Sequence, residues 1–336
     1  PANKVYMLGM EGEFLEVDVH SLAVTPLADL CTELKLAQPL RPHFKDAYSA
    51  HGRVVVANNS YHAEAFTTGV CNGRLAEWDG QTWTTLEKTQ FNTTAGRLAG
   101  DMGEAIYAVG QDRASAILKL YLPRTGWQTY RLPKATHTQD HAWTTEWPRL
   151  REIESERWLL DASGLFYEVP AMTYADRLWG IRPVASHLRI VADFCSWNGL
   201  LVMAGDQTTP IGDSNAAVGQ PQSNLWFGKS DDLWQWGKPQ GWGGPWWESA
   251  VTAGAPSDPF LMCGFEHKCL HVSADAPVTV AVQIDFRGDG HFYTASTVAV
   301  PAGGAATHVF PDGFSAHWVR LVPDADCTAT AQFVYT

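Results

Sequence analysis

The densest run of titratable side chains lies in His137–Asp161, HTQDHAWTTEWPRLREIESERWLLD. His137, Asp140, His141 and Glu146 precede Arg149 and Arg151, and an apolar strand, Trp158–Leu160, then ends at Asp161. A polar loop feeding a buried strand is the usual way a rigid scaffold presents a site. Two carboxyl groups across a glycosidic bond, one held protonated and one ionised, can hydrolyse it. The pool for such a pair is Asp112, Asp140, Glu146, Asp161 and Asp206. A base beside the α-carbon of a uronic acid, with a cation or amide on its carboxylate, can instead drive elimination. For that reaction His43, His137 or His141 is the candidate base, and Asn58, Arg113 or Arg189 the candidate neutraliser.

Other chemistries lack their residues. There is no Gly-rich phosphate loop, no dinucleotide fingerprint and no G-x-S-x-G elbow. His137 and His141 have a spacing that would suit a metal on a helix, but Pro148 and the surrounding sequence predict none. No cofactor is expected, and a structural or site metal ion is left open. The six cysteines, Cys31, Cys71, Cys195, Cys263, Cys269 and Cys327, contain no C-x-x-C pair. They read as buried thiols, with a Cys263–Cys269 bridge as the alternative.

The elements that must position these residues recur about every fifty residues. VYMLG (Val5), VVVAN (Val54), AIYAVG (Ala105), WLLD (Trp158) and LLVMAG (Leu200) are short apolar strands ending in small or polar residues. Each is followed by a similar strand: GEFLEVD, GRLAEWDG, AILKLYLP, GLFYEVP and NLWFGKS. Aromatic-bearing third segments follow in several units: QTWTTLE, GWQTYRLP and LWQWGKP. DAYSAHG, NTTAGRLAG, WTTEWPRLREI and IVADFCSWNG would open four of the units as innermost strands. The expected fold class is therefore all-β, a β-propeller of about five or more blades. The first unit shows no innermost strand, so the C-terminus, a second chain or an N-terminal segment would complete the ring. After the linker Thr252–Asp258, alternating segments such as VTVAVQIDF and FYTASTVAV predict a last blade or small antiparallel sandwich. The expected division is 1–252 for the blades and 258–336 for the C-terminal module.

In a propeller, two sets of loops share one face. They would gather a substrate-binding set of His43, Asn58, Asn59, Asp112, Arg113, His137, His187, Asp206 and Gln207 around catalytic Asp140, His141, Glu146 and Asp161. Two long loops, Asn58–Asn72 and Asp206–Ser223, add to that face. The tryptophan-rich run Leu225–Ser249 either packs between blades or stacks on sugar rings. Trp242, in a Gly/Pro-rich stretch with no strand pattern, is the binding candidate there.

The bulk numbers disfavour, without excluding, a heavily polyanionic substrate. The 336 residues are 45% hydrophobic, and 24 basic against 36 acidic residues leave a net charge of −12. Such a balance does not attract nucleic acid or an anionic membrane, although a local arginine cluster can override it. No run approaches transmembrane length, and a secreted or periplasmic location is the expectation. GRLAEWDGQTW, LRIVADFCSW, SNLWFGKSDDLWQWGKPQGWGGPW and the ending FSAHWVRLVPDADCTATAQFVYT resemble a group of bacterial β-propeller proteins. That group is similar in build to propeller glycoside hydrolases and polysaccharide lyases. The resemblance implies a carbohydrate context and an oligo- or polysaccharide partner. The residue pool favours hydrolysis, with elimination by a histidine base or non-catalytic binding as the alternatives.

Overall fold

The structure, a computed structural model, describes residues 3–96, 105–136, 148–154, 157–170, 176–187, 191–211 and 215–336, with side chains described at all of these except 66 and 205–224. These residues are almost entirely β. The chain opens with β1 (Lys4–Leu8), β2 (Glu13–Asp18) and β3 (Val24–Asp29), an antiparallel sheet in that order, followed by α1 (Leu30–Glu33). Next come β4 (Leu40–Arg41), β5 (Phe44–Ala50), β6 (Arg53–Asn58), β7 (Tyr61–His62), α2 (Ala65–Thr68), β8 (Arg74–Trp78) and β9 (Trp83–Glu87). Of these, β5-β6-β8-β9 form the second sheet and β4 pairs with β7 beside it. The third sheet runs β10 (Gln90–Gly96), β11 (Ile106–Gln111), β12 (Ala116–Leu122), β13 (Gly126–Leu132). The fourth runs β14 (Arg149–Ile153), β15 (Arg157–Ala162), β16 (Leu165–Val169), β17 (Arg182–Ser186). The fifth has β18 (Val191–Trp197), β19 (Leu200–Ile211) and β20 (Asn215–Gly228).

Successive side chains of a strand point to opposite faces, and these sheets use both faces. Val54 and Val56 pack toward the first sheet with Phe14 and Leu30, while Val55 and Ala57 pack toward the third with Phe91, Ile106 and Ile117. Likewise Trp158 and Leu160 join Val109, Leu118 and Leu120 of the third sheet, and Leu159 and Phe166 join Phe194, Leu201 and Met203 of the fifth. Burial on both faces explains why VVVA and AIYAV read as unbroken apolar runs rather than alternating ones. At roughly 1.5–3 kcal/mol per buried large aliphatic or aromatic side chain, these inter-sheet cores hold the series together. The first strands β5, β10, β14 and β18 also pack one against the next. The two end sheets each keep one apolar face open, with Val5 and Met7 each 50% exposed at one end and Trp197 60% exposed at the other.

The remaining strands are β21 (Gly241–Val251), β22 (Phe260–Leu261), β23 (Lys268–Ala274), β24 (Val278–Asp285), β25 (Tyr293–Val300), β26 (Gly304–Val309), β27 (Trp318–Pro323) and β28 (Cys327–Tyr335). They form two sheets, β22-β27-β24-β25 and β21-β28-β23-β26, around a shared core that includes Val280, Leu270, Phe333 and Leu321. This is a β-sandwich. Thr252–Asp258 therefore runs between two of its strands, β21 and β22. A parallel contact, Arg131↔Phe260, makes the third sheet and one sandwich sheet continuous. Arg131 fastens that junction, donating to Asp112 Oδ2 at 2.8 Å and Asp258 Oδ2 at 3.0 Å.

Four local expectations change. LWQWGKP is not an outer strand: Ser230–Gln235 is a 3-10 helix, its start held by Lys229 N–H donating to Asp232 at 2.8 Å. Asp206–Ser223 is not an open loop, because β19 and β20 pair through Asp206↔Ser223 and beyond. Gly241–Ser249 is strand, since its Gly and Pro residues fall where the β21–β28 register shifts. Cys263 and Cys269 are not bridged, and all six cysteines are free.

Gly110 shows why a strand end must be small. A Cβ there would lie 2.3 Å from Gln90 O and 2.7 Å from Phe91 Cγ. Gly110→Ala is expected to cost about 3 kcal/mol by overpacking, read as a lower urea midpoint at unchanged slope.

Candidate functional site

The first strands share a feature that repeats in register. Against its partner, β5 carries one extra residue, Lys45, between Phe44 and Asp46. In β10 the extra residue is Asn92, and in β18 it is Ala192. Each bulge sits near the end of the strand where the chain enters the sheet. A bulge re-aims the side chain it carries. In β14 the entry position is held by Arg149, opposite Asp161 in the ladder.

These entries bring charged groups from several sheets together. Asp46 accepts from Thr93 Oγ1 at 2.8 Å and Thr94 N at 3.0 Å, tying β5 to β10. Arg151 donates to Asp193 Oδ2 at 3.1 Å, and Arg149 Nε lies 3.6 Å from the same oxygen, tying β14 to β18. Lys45 and Arg149 belong to sheets that are not neighbours, yet they feel each other. Burial first, and then the charge of Arg149, pull the Lys45 ammonium down to about 8. Burial likewise lowers Arg149, with Asp193 opposing and Arg151 reinforcing the shift. Sheets that do not touch side by side therefore converge on one polar cluster.

His43 opens β5 beside this cluster. Burial, followed by the Lys45 charge, lowers its imidazole to about 4, against an opposing hydrogen bond with Asn59. It is therefore neutral near pH 7. Asn58 and Asn59 are fully buried; Asn59 faces His43, and Asn58 Nδ2 has no hydrogen-bond partner among the described residues. Gln111 Oε1 is also buried without one. Unpaired buried amides cost on the order of 1–3 kcal/mol each unless water or a ligand meets them. A shape with such amides is suited to binding hydroxyl groups.

The other candidates separate. Asp161 is 1% exposed and accepts from His187 Nε2 at 3.0 Å, while the His187 ring stacks on Phe166 at 4.5 Å. This pair links the end of β15 to the residue after β17. His187 and Trp242 line one cavity of about 390 Å3, and Trp242 lies on β21, bridged to Lys134. Asp112 closes a turn by accepting from Ala114 N and Ser115 N and pairs with Arg131. Arg113 is exposed, with its guanidinium 5.4 Å from the centroid of the Trp247 ring. His62, on β7 after Asn58, bonds to Gln38 O at 3.0 Å. His137, Asp140, His141 and Glu146 lie outside the described residues, as do the side chains of Asp206 and Gln207. No cluster of three or more His, Cys, Asp or Glu able to hold a metal occurs among the described residues. No helix among them is long and apolar enough to cross a membrane. Lys45 belongs to the loops expected on that face, but the sequence assigns it no chemical role. Its signal is its place immediately before DAYSAHG.

The buried histidines predict a pH dependence. His43 and His317 both sit at about 4, below the ordinary 6.5. Between pH 6.5 and 4 the unfolded chain binds protons that the folded chain does not. Stability from these groups is thus full above 6.5 and is lost as pH falls through that window. Thermal melts of His43→Gln with His317→Gln should show a shallower loss over that range than the parent protein.

No protein-family model and no curated protein matches the chain. Among solved structures it is similar to a computationally designed protein, Ika8, at 13% identity and TM-score 0.36, over 96% of this chain and 81% of that one. A glycoside hydrolase family 43 arabinoxylan arabinofuranohydrolase from Bacillus subtilis, in complex with cellotetraose, gives 10% identity and TM-score 0.27 over 99% and 75%. The family 43 protein BlXynB from Bacillus licheniformis gives 8% and 0.26 over 99% and 95%. These likenesses are too distant to transfer a residue or an activity, so the site is read from its own geometry.

Proposed function

We propose that this protein is a β-propeller acting on carbohydrate, and that the polar cluster is the mouth of its channel. Serial sheets buried on both faces, with first strands packed in succession, support the propeller reading. The open apolar faces at Val5 and Met7 and at Trp197 are where a further sheet, from a second chain or another segment, would close the ring. We place the module boundary near Gln240, since β21 pairs within the sandwich.

The substrate class is an acidic polysaccharide bearing uronate units, cleaved by β-elimination. The observation that carries this is the placing of Lys45, at the β5 bulge and pulled to about 8 chiefly by burial, within electrostatic reach of Arg149 at the entry of β14. A lysine brought near working pH can serve as a general base. Arg149 would meet the uronate carboxylate, which acidifies the adjacent C–H. The Lys45 amine takes that proton, the C–O bond to the leaving sugar breaks, and a C=C bond forms. The ammonium then returns the proton to the departing oxygen. Asn58 and Asn59 would hold sugar hydroxyls. The described carboxylates at the mouth, Asp46 and Asp193, are engaged by Thr93, Thr94 and the arginines. Hydrolysis would rest instead on Asp140 and Glu146. An extracellular or periplasmic site of action suits a polymeric substrate. The test is a panel of uronate polymers, read for unsaturated ends and reducing ends together.

A further inference from the structure

A second cavity, of about 570 Å3, opens at the end of β17 away from His187. It lies where β17, the 3-10 helix and the residues before β27 meet. Its size falls within the usual range for small-molecule sites, which favour such junctions. Its lining includes Arg182, Trp234, Gln235, Lys238, Cys263 and His317.

The chemistry of that lining is selective. Arg182 is exposed, and no carboxylate pairs with it among the described residues, in a chain of net charge −12. Lys238 adds a second cation, paired with Glu266 at 2.7 Å. Trp234 is 42% exposed, so a large ring is presented rather than packed away. The segment that carries it is anchored by Trp236, whose ring meets Trp226 edge-on at 5.5 Å. His317 Nε2 is buried with no partner among the described residues. Burial raises the Cys263 thiol to about 11, and its Sγ–H donates to Ile181 O. The Cys263 thiol is therefore protonated near pH 7 rather than a thiolate nucleophile.

We propose that this cavity is a binding site for a small ring-bearing carboxylate, with Arg182 taking the carboxylate and Trp234 the flat face of the ring. Arg suits a carboxylate through its planar fork of donors, and an exposed indole suits the apolar face of a sugar ring. The assignment does not depend on cleavage at the mouth.

D-glucuronate is the probe, titrated calorimetrically into the full chain carrying Arg149→Ala, which removes the mouth's carboxylate-binding group. One saturable event is expected. Arg182→Ala in that background should weaken it at least about tenfold, and Trp234→Ala should weaken it too. Both side chains are exposed, so unchanged melting temperatures would certify the fold. The methyl ester of glucuronate, which lacks the charge, should bind at least about tenfold less tightly. Unchanged binding in Arg182→Ala, equal binding of acid and ester, or no saturable binding at millimolar concentration would each overturn the assignment.

Discussion

Lys45→Met will lower cleavage of a uronate polymer by on the order of 100-fold or more, with no loss of melting temperature at pH 7. General-base contributions are typically about 10²–10⁴-fold, and this substitution removes the proposed base outright. Its stability consequence runs the other way. The folded pKa of Lys45, about 8, lies below the ordinary 10.5, so the fold disfavours its charged form. That penalty is present below pH 8 and is relieved as pH rises from 8 toward 10.5. Removing the ammonium removes a charge that burial and Arg149 both oppose. Lys45→Arg is the sharper control, because guanidinium keeps the charge and cannot act as a base. Cleavage by the parent protein should rise with pH through about 8, and the arginine variant should be inactive while still binding the polymer. Arg149→Ala should show a similar loss of turnover, because the uronate carboxylate would then stay uncompensated. Full activity in Lys45→Arg would remove the lysine from the mechanism.

Asp161→Ala will destabilise the fold by about 3–4 kcal/mol, the range for breaking a buried pair while leaving its partner in place. Both side chains are nearly inaccessible, at 2% for Asp161 and 4% for His187. Asp161→Asn keeps an acceptor for His187 Nε2, so its cost should be nearer 1 kcal/mol. Urea denaturation of the two variants measures the difference. The pair also bears on function, since Asp161 stands opposite Arg149 across β14–β15. We propose that Asp161, expected from the sequence to be catalytic, instead positions Arg149 across that ladder. Asp161→Asn should then retain most turnover, whereas loss of turnover in a stable Asp161→Asn protein would make it catalytic.

Much of the strand order was legible because each unit repeats a short apolar segment ended by a small or polar residue. VVVAN, AIYAVG and WLLD are legible since strands buried on both faces leave no polar alternation to confuse them. Leu233–Pro239 misled because its tryptophans resemble those of QTWTTLE. The capping interaction of Asp232 with Lys229 N makes a 3-10 turn there instead. Gly241–Ser249 misled for the opposite reason: glycines that permit bulges look like loop residues in one dimension.

The site was less legible than the strands. Asn58, Asn59 and His43 are close together in the chain, so their gathering followed from strand and loop order. Lys45 and Arg149 are more than a hundred residues apart, and their meeting depends on a bulge and on sheets that are not adjacent. Neither leaves a local pattern. Asp112 and Arg113 looked like strand-end ligands. Their bonds go to Arg131 and toward Trp247, because the sandwich docks on that edge of the third sheet.

The measurement that tests the central claim most directly is cleavage of polygalacturonate, alginate and glucuronan by the purified chain. Ultraviolet absorbance of unsaturated ends and total reducing ends are followed in the same reaction. The account predicts that both rise together on at least one polymer, faster above pH 8 than at pH 6, and that neither rises with Lys45→Arg. Reducing ends without absorbance would contradict it in favour of hydrolysis, and binding without either signal would contradict it in favour of a non-catalytic carbohydrate receptor.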